Sequence, residues 1–410
     1  MSIDTRKINK DEMYFSLKGD NFDGNVFAME AIEKGAKFSI VDDLEQKDIH
    51  DNIVYVENSL KALQDLSNHH RSLFDTKVIG ITGSNGKTTT KNLIYSILSQ
   101  KYNVIKTKGN LNNHIGVPLS LLNIKDDIDV AIIEMGANHV GEIKRLCEIA
   151  MPDIGLITNY GYAHLEGFGS FEGVIKGKTE MYEYLTENYG HIILNNDDKL
   201  QVENCKGDLA VTFGSNKDSE FIFDYKKDNS SLKLKIDGYE FNSNLFGEYN
   251  FSNLASSITI GKFLDLSNKE IQEGLNKFLN DSNRSEVLFF DSNKIYLDAY
   301  NANPTSMLAA ISNFENINLN NRVLILGDMF ELGKYSDQEH QKIVDFVTNK
   351  DYSKIYLVGD NFSKCNTDGE YFFKFSNTNE LEKSDSFKSL KNMNILVKGS
   401  RGVSLEKLFN

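Results

Sequence analysis

The sequence predicts an α/β protein of three domains: a small N-terminal α/β domain, a central domain with a mostly parallel sheet, and a C-terminal Rossmann-like domain. Short apolar segments alternate with helical segments along most of the chain, which favours parallel sheets covered by helices on both faces. Glycine-rich turns follow several of these apolar segments. We place the domains at 1–75, 76–281 and 282–410.

The N-terminal domain shows a strand, a helix and a second strand in succession. Residues 13–19 predict a strand that ends in a turn, residues 28–34 a helix stopped by Gly35, and residues 37–41 the second strand. A helix over 59–74 then leads into the central domain.

The central and C-terminal domains repeat the strand–helix alternation. Central strands are predicted at 129–134, 153–158 and 191–195, and helices at 93–100, 141–150, 171–185, 250–264 and 269–280. Short strands with turn residues over 208–246 favour an antiparallel extension of the central sheet. The C-terminal strands are predicted at 295–298, 322–326, 354–358 and 394–397, which indicates a second sheet of the Rossmann type.

Composition excludes several classes of protein. The chain has 410 residues, of which 40% are hydrophobic and 25% charged, and its net charge of −14 argues against a general nucleic-acid binder. It contains neither an apolar signal core nor a run of about 18 apolar residues, so we expect a cytoplasmic protein without a membrane segment. Cys147, Cys205 and Cys365 are scattered, which fits neither a disulfide framework nor a metal-binding spacing.

The stretch from Val78 to Thr90 has the form of a phosphate-binding loop. A short apolar strand leads into Gly83-Ser-Asn-Gly-Lys-Thr-Thr89, and a helical run is predicted from Lys91 to Ser99. Backbone N–H groups and a helix N-terminus surround an anion in such loops, where Lys87 would reach the β- and γ-phosphates and Thr88 would face Mg²⁺. The alternative is a chance glycine-rich turn, because Ile81 stands where the strict pattern has its first glycine.

Several polar residues follow the predicted strands of the central domain. Glu134 ends an apolar strand, either as a Mg²⁺ ligand or as an ordinary strand-end carboxylate. His164 follows the next strand, either as a neutral imidazole ligand or as a structural histidine. Lys176 and Lys178, taken alone, are ordinary solvated lysines. The asparagine-rich loop 110–118 could bind a polar substrate through its amides or simply form a capped turn.

Three strand-to-turn junctions of the C-terminal domain carry charge or glycine. Asp298 ends one strand and could bind ribose hydroxyls. Two other strands are followed by glycine-containing turns, at 327–333 and 398–402. Each could be an ordinary connection, but three at one sheet edge favour a binding face.

Together these motifs resemble the Mur ligases, the ATP-dependent amide-forming enzymes of peptidoglycan synthesis. The phosphate loop of that family also lacks the first glycine of the strict pattern. Several further stretches are similar to the branch of the family that adds D-alanyl-D-alanine: Asn110–Asn113 with Gly116–Pro118, Glu134–Asn138, Tyr300–Pro304, Gly327–Gly333 and Lys398–Arg401.

The resemblance implies a ligase that joins D-alanyl-D-alanine to UDP-N-acetylmuramoyl-tripeptide through an acyl phosphate. The first domain would bind the uridine diphosphate end of that substrate. ATP and two Mg²⁺ ions are the implied cofactors, and the chain is expected to act as a monomer without nucleic-acid or membrane partners.

The resemblance also implies roles for individual residues. Lys87, His164, Lys178 and Arg284 would be catalytic. One Mg²⁺ would be held by Thr88 and Glu134 and the other by His164 and a carbamylated Lys178; Thr179 stands where the family usually has glycine, so Lys176 is the alternative for the carbamylated position. The implied ATP site comprises Gly83, Ser84, Asn85, Gly86, Lys87, Thr88, Thr89, Asn250, Asn253, Arg284 and Asp298. The implied substrate site comprises Asn112, Asn113, Asn301, Asn303, Lys398, Ser400 and Arg401.

Other functions remain open from the sequence. A different Mur ligase or a folate polyglutamate ligase would share the ATP site, although the latter usually begins directly with the ATP domain. A P-loop kinase or switch ATPase would transfer phosphate to a stable acceptor or to water, and a binding module would not turn over.

Overall fold

The computed structural model describes residues 1–226, 232–245, 247–279, 286–317 and 319–409, which form three successive α/β units. The predicted fold class is confirmed. The predicted boundary near residue 281 lies outside the described residues, and the three domain limits stay predictions. No helix in the described ranges is both long and apolar enough to cross a membrane.

The N-terminal unit is a small parallel sheet in the order β1-β4-β5, with β2 and β3 paired as a separate hairpin. The predicted first strand is therefore split, because the chain turns back on itself between β2 and β3. Its elements are β1 (Met13–Phe15), β2 (Lys18–Gly19), β3 (Phe22–Asp23), α1 (Ala28–Glu33), β4 (Phe38–Val41), β5 (Ile53–Tyr55) and α2 (Ser59–Ser72).

Seven parallel strands form the described central sheet, in the order β12-β11-β10-β9-β6-β8-β7. They are β6 (Lys77–Thr82), β7 (Val104–Lys106), β8 (Val130–Glu134), β9 (Ile154–Ile157), β10 (His191–Asn195), β11 (Ala210–Gly214) and β12 (Phe221–Ile222). The helices of this unit are α3 (Lys87–Leu98), α4 (Gly116–Leu121), α5 (Glu142–Ala150), α6 (Leu165–Phe168), α7 (Phe171–Glu187), α8 (Lys199–Asn204), α9 (Phe251–Phe263) and α10 (Asn268–Lys277).

The predicted antiparallel extension of this sheet is wrong. Strands β11 and β12 join the central sheet in parallel, and a separate antiparallel sheet consists of β13 (Asp224–Lys226), β14 (Lys233–Ile236) and β15 (Tyr239–Asn242). The tight turn at Asp237 and Gly238 returns β15 directly against β14, whereas α8 carries the chain over to a parallel β11.

The C-terminal unit is a six-stranded sheet in the order β16-β17-β21-β18-β19-β20, parallel except for β16. This is the predicted Rossmann-like arrangement. The elements are β16 (Glu286–Phe290), β17 (Asn293–Asp298), α11 (Pro304–Asn316), β18 (Arg322–Gly327), α12 (Ser336–Val347), β19 (Lys354–Val358), α13 (Asp360–Lys364), β20 (Phe372–Phe375), α14 (Thr378–Lys383), α15 (Asp385–Lys388) and β21 (Asn394–Lys398).

Strand β6 shows why the central strands read as continuous apolar runs. Val78 packs on one face of the sheet with residues of α4, α5 and α7, and Ile79 and Ile81 pack on the other face with α3, α9 and α10. A parallel sheet buried on both faces needs apolar side chains at successive positions. Ile81 lies opposite Glu134 of β8, and Thr82 lies opposite Ile157 of β9, so three strands end together at one edge.

Candidate active site

A cavity of about 960 Å³ lies at this edge, between residues of all three units. Ligands of open parallel sheets bind outside the carboxyl ends of the strands, where this cavity lies. Fifteen of the residues predicted from the sequence line it: Ser84, Asn85, Gly86, Lys87, Thr88, Thr89, Asn112, Asn113, Glu134, His164, Asn250, Asn253, Asp298, Asn301 and Lys398.

The remaining predicted residues do not line the cavity or cannot be placed. Those described but absent from the lining are Gly83, Lys178, Asn303, Ser400 and Arg401. Arg284 lies outside the described residues, so its role stays a prediction.

The phosphate loop, residues 83–89, is shaped by glycine. Gly86 has φ +82°, and a Cβ at this position would lie 2.4 Å from the Oδ1 of Asn253. Helix α3 begins at Lys87, four residues earlier than the helical run that the sequence predicts. Thr88 therefore lies in the first turn of the helix, and the Lys87 ammonium folds back to donate to the carbonyl of Gly83 at 2.6 Å.

The loop that follows β9 holds the phosphate loop in place. The backbone N–H of Asn85 donates to the side-chain oxygen of Asn159 at 3.0 Å, and the Ser84 hydroxyl donates to the carbonyl of Gly161 at 3.0 Å. The N–H of Gly161 donates back to the Ser84 oxygen at 2.9 Å. These bonds fix the backbone amides of the phosphate loop before a ligand arrives.

Glu134 ends β8 as a buried carboxylate, only 3% exposed. It accepts the Thr88 hydroxyl at 3.2 Å, the Asn112 amide at 2.9 Å and the Lys91 ammonium at 3.0 Å. Burial alone would raise the pKa of Glu134, but the charges of Lys91 and Lys87 and the Asn112 hydrogen bond lower it below its ordinary value. The carboxylate is therefore held ionised in the interior.

Sequence analysis missed Lys91. The signal was available, because Lys91 follows Lys87 by four residues in α3 and thus lies on the same helix face. It is buried beside Glu134 and forms the nearest charge to that carboxylate.

The oxygen donors of Thr88 and Glu134 fit Mg²⁺. The Thr88 hydroxyl donates a hydrogen bond to Glu134, which leaves the lone pairs of the hydroxyl oxygen free for a cation. Magnesium is commonly bound by one or two carboxylates together with substrate phosphates and water rather than by an all-protein cage. No group of three or more His, Cys, Asp or Glu residues suited to a metal occurs among the described residues.

Lys178 lies in the interior of α7, whereas Lys176 is exposed. The Lys178 ammonium lies 5.4 Å from the centre of the Phe168 ring. Burial, and after it the positive charge of Lys87, lower the pKa of Lys178 well below its ordinary value. A neutral amine is the form that can add CO₂ to give a carbamate, so the environment favours Lys178 over Lys176 for that modification.

His164 lies where the central and C-terminal units meet. Its backbone is left-handed, with φ +54°, and its Nδ1 contacts the carboxylate of Glu331 from the C-terminal unit. The contact with His164 lowers the pKa of Glu331. The N–H of Glu166 donates to the Glu331 carbonyl at 3.2 Å. No local pattern in the sequence indicated Glu331 as a partner of His164.

The two asparagines of the loop before α4 have different tasks. Asn113 accepts the N–H of Gly116 at 2.9 Å and that of Ile115 at 3.1 Å, which is the capped turn that sequence analysis left open. Asn112 instead donates to Glu134. Both side chains still line the cavity.

Asn250 and Asn253, two residues of the predicted ATP site, lie beside the phosphate loop. Asn253 donates to the Oδ1 of Asn250 at 2.9 Å and accepts the Thr90 hydroxyl at 3.1 Å. Because the Asn253 side chain also lies over Gly86, it connects α9 to the start of α3.

The predicted residues of the C-terminal unit are largely engaged within the protein. Lys398 is 2% exposed and pairs with Asp298 at 2.6 Å, so neither charge is isolated.

The other predicted residues of this unit also contact neighbouring protein groups. The Ser400 hydroxyl accepts the N–H of Phe330 at 3.1 Å, and the Arg401 guanidinium lies 5.3 Å from the centre of the Tyr300 ring. Asn301 accepts the N–H of Ala302 at 2.9 Å. Asn303 caps α11 and contacts Asn85 of the phosphate loop.

Three family models match successive parts of the chain. They describe the Mur ligase family catalytic domain over residues 1–71, the Mur ligase middle domain over residues 81–261, and the Mur ligase glutamate ligase domain over residues 283–383.

Similar proteins extend over the whole chain. The UDP-N-acetylmuramoyl-tripeptide–D-alanyl-D-alanine ligase of Bacillus subtilis strain 168 is 32% identical over 421 residues, which cover 100% of this chain and 92% of that protein. The ligase of the same name from Escherichia coli K12 is 33% identical and covers 100% and 92%. A crystal structure of MurF from Acinetobacter baumannii superposes with a TM-score of 0.90 at 29% identity, covering 99% of this chain and 91% of that one. The structure of MurF ligase from Thermotoga maritima in complex with ADP superposes with a TM-score of 0.87 at 26% identity. The match covers 99% of this chain and 95% of that one.

Proposed function

The chain belongs to the Mur ligase family, and we propose that it is the ATP-dependent ligase that joins D-alanyl-D-alanine to UDP-N-acetylmuramoyl-tripeptide in peptidoglycan precursor synthesis. The observation that carries this proposal is the group formed by Lys87, Thr88 and Glu134 at the mouth of a cavity between three units. The similarity over the full length to ligases of that name supports the choice of substrates.

The reaction has two steps. A terminal carboxylate oxygen of the tripeptide attacks the γ-phosphorus of ATP, the bond to the β-phosphate oxygen breaks, and ADP leaves. The amine of D-alanyl-D-alanine then attacks the carbonyl of the acyl phosphate and loses a proton, and inorganic phosphate leaves as the amide forms.

Positioning and charge neutralisation are the main contributions of the protein to such a reaction. Lys87 and the amides of the phosphate loop would hold the phosphates, Arg284 would act on the γ-phosphate, and Asp298 would bind the ribose. Asn250 and Asn253 would serve the adenine side. Asp298 lines the cavity, and its ion pair with Lys398 restrains the position of its carboxylate there.

Two Mg²⁺ ions complete the proposed site. Thr88 and Glu134 would hold one, and His164 and a carbamylated Lys178 the other. When bound, the ions offset the repulsion between the attacking carboxylate and the triphosphate. The burial of Lys178 supports the carbamate: the neutral amine adds CO₂, releases a proton and becomes an anionic ligand.

The remaining substrate contacts are assigned to the N-terminal and C-terminal units. The N-terminal unit would bind the uridine diphosphate end. Asn112, Asn113, Asn301, Asn303, Lys398, Ser400 and Arg401 would serve the peptide substrates, directly or by holding the cavity wall. We also infer a cytoplasmic location, because ATP and a nucleotide-linked precursor are cytoplasmic substrates. The expected monomer stays a prediction, which sedimentation analysis would test.

One assay tests the proposal. ADP release is measured with ATP alone, with each of the two co-substrates, and with both together. Full release that needs both co-substrates supports the ligase, while release with one acceptor alone indicates a kinase and release with neither a switch ATPase. Exchange of D-alanyl-D-alanine for glutamate or a diamino acid distinguishes the other ligases of the family. Lys87→Ala, with the fold checked by circular dichroism, should lower ADP release by at least about a hundredfold, and unchanged turnover would refute the role of the phosphate loop.

A further inference from the structure

Lys91 is a buried cation without access to the cavity. Its ammonium lies 3.0 Å from Oε2 of Glu134, and both side chains are 3% exposed. Lys91 is not among the residues that line the cavity, whereas Glu134 is. Lys91 therefore acts on a ligand in the cavity without touching it, through its ion pair with Glu134 and through its charge.

The contacts of Glu134 leave it poorly suited to bind a cation alone. Its two oxygens already accept bonds from Asn112, Thr88 and Lys91. Lys87 and Lys91 lie one helical turn apart in α3, and both charges act on this carboxylate. The three charged groups together leave one positive charge, which repels a divalent cation. A nucleotide phosphate chain reverses the sign of the local charge.

We propose that Lys91 is a positioning residue that prevents Glu134 from binding a divalent cation by itself, so that the cation enters the site only together with nucleotide phosphates. This inference rests on the proposed function in one respect, which is that Thr88 and Glu134 are the metal ligands. It adds the order in which the ligands arrive: nucleotide and metal bind as a unit.

Mn²⁺ binding to the full chain, measured by electron paramagnetic resonance, tests the proposal without any turnover. Nucleotide-free wild type should bind Mn²⁺ weakly, and saturating ADP should raise the affinity. Lys91→Met should raise the nucleotide-free affinity at least about tenfold, because removing the ammonium frees one oxygen of Glu134 from its ion pair and removes the net positive charge of the group. Lys101→Met, the same charge change at an exposed position in the turn after α3, should behave as wild type. An unchanged affinity in Lys91→Met would overturn the proposal.

Two further measurements decide the matter if Lys91→Met does not fold, which is a known risk when one partner of a buried ion pair is removed. The double variant Lys91→Met with Glu134→Gln restores a neutral pair and should bind Mn²⁺ no more tightly than wild type. Without nucleotide, wild type and Glu134→Gln should bind Mn²⁺ with the same weak affinity. If wild type binds Mn²⁺ tightly and Glu134→Gln abolishes that binding, the proposed role of Lys91 is overturned. If ADP fails to bind at all, the proposed ligase function fails, but these nucleotide-free comparisons still judge Lys91.

Discussion

The side-chain amides of Asn85 and Asn303 pair across the junction between the phosphate loop and the C-terminal unit. The Nδ2 of Asn303 donates to the Oδ1 of Asn85 at 2.8 Å, and the reverse contact measures 3.4 Å. The Oδ1 of Asn303 also accepts the N–H of Ser306 at 2.9 Å and so caps α11. One side chain therefore begins a helix of the C-terminal unit and holds that helix against the phosphate loop.

Replacing Asn303 should affect both tasks. Asn303→Ala should lower the free energy of unfolding by about 1–2 kcal/mol through the lost cap. It should also weaken ADP binding about fivefold, the equivalent of ~1 kcal/mol, because Asn85 loses its partner. Urea unfolding and isothermal titration with ADP measure the two effects.

Asn377→Ala is the matched control, since Asn377 caps α14 through the N–H of Glu380 in the same unit. It should lose similar stability and keep the ADP affinity of wild type. Equal ADP affinity in the two variants would show that the Asn85–Asn303 pair has no part in holding the phosphate loop.

The local sequence was sufficient to predict those elements whose characteristic pattern is complete within a short stretch of residues. The phosphate loop combines an apolar strand, positive-φ glycine and a helix start within 13 residues. The strand before Glu134 is buried on both faces and reads as continuous apolar residues. Such patterns reflect short-range geometry, so they need no knowledge of the remaining chain.

Long-range relationships were not predictable in the same way. Whether β11 pairs parallel or antiparallel depends on the path of α8, which the short strands of that region do not encode. The substrate role of Asn303 stays a prediction, whereas its contact with a residue 218 positions away was not predictable from the sequence. Glu331 meets His164 only because two units dock. These contacts arise from tertiary packing rather than from local spacing.

The buried position of Lys178 leads to a second prediction. Lys178→Ala should be inactive, since it lacks the proposed carbamate, and a short-chain carboxylic acid should partly restore ADP release by supplying a carboxylate. Lys176→Ala, a change at an exposed position of the same helix, should keep the wild-type rate. ¹³C NMR of wild type with labelled bicarbonate should show a carbamate signal that Lys178→Ala lacks. If Lys176→Ala instead loses activity and is rescued by the acid, the carbamylated residue is Lys176, two positions earlier in the sequence.

A third prediction separates backbone strain from steric conflict at the phosphate loop. Gly86 and Gly109 both have positive φ, at +82° and +54°, but only at Gly86 would a Cβ meet Asn253, at 2.4 Å. Each alanine variant should lose about 1–2 kcal/mol of unfolding free energy because of the left-handed backbone. Gly86→Ala should lose more than Gly109→Ala, and it alone should abolish ADP binding. The two variants would behave alike in urea unfolding and ADP titration if Asn253 were free to move away.

The last prediction concerns acid stability. The pKa of Glu134 in the folded protein lies below its ordinary value, and the unfolded value is about 4.3. The folded state therefore binds fewer protons, so the stabilising effect of the ionised carboxylate is complete above the unfolded pKa and is lost as the pH falls through the folded pKa. Wild type should lose unfolding free energy in that acidic range.

Glu134→Gln removes this titration. At neutral pH it should be less stable than wild type by about 3–5 kcal/mol, because Lys91 is left buried without a counter-charge. Its unfolding free energy should then fall less steeply than that of wild type as the pH decreases below the unfolded pKa, since one fewer group takes up a proton on unfolding. Glu33→Gln, at an exposed position, should follow the wild-type slope. Urea unfolding at a series of acidic pH values gives the slopes, and parallel curves for wild type and Glu134→Gln would mean that Lys91 and Lys87 do not hold Glu134 ionised in the folded protein.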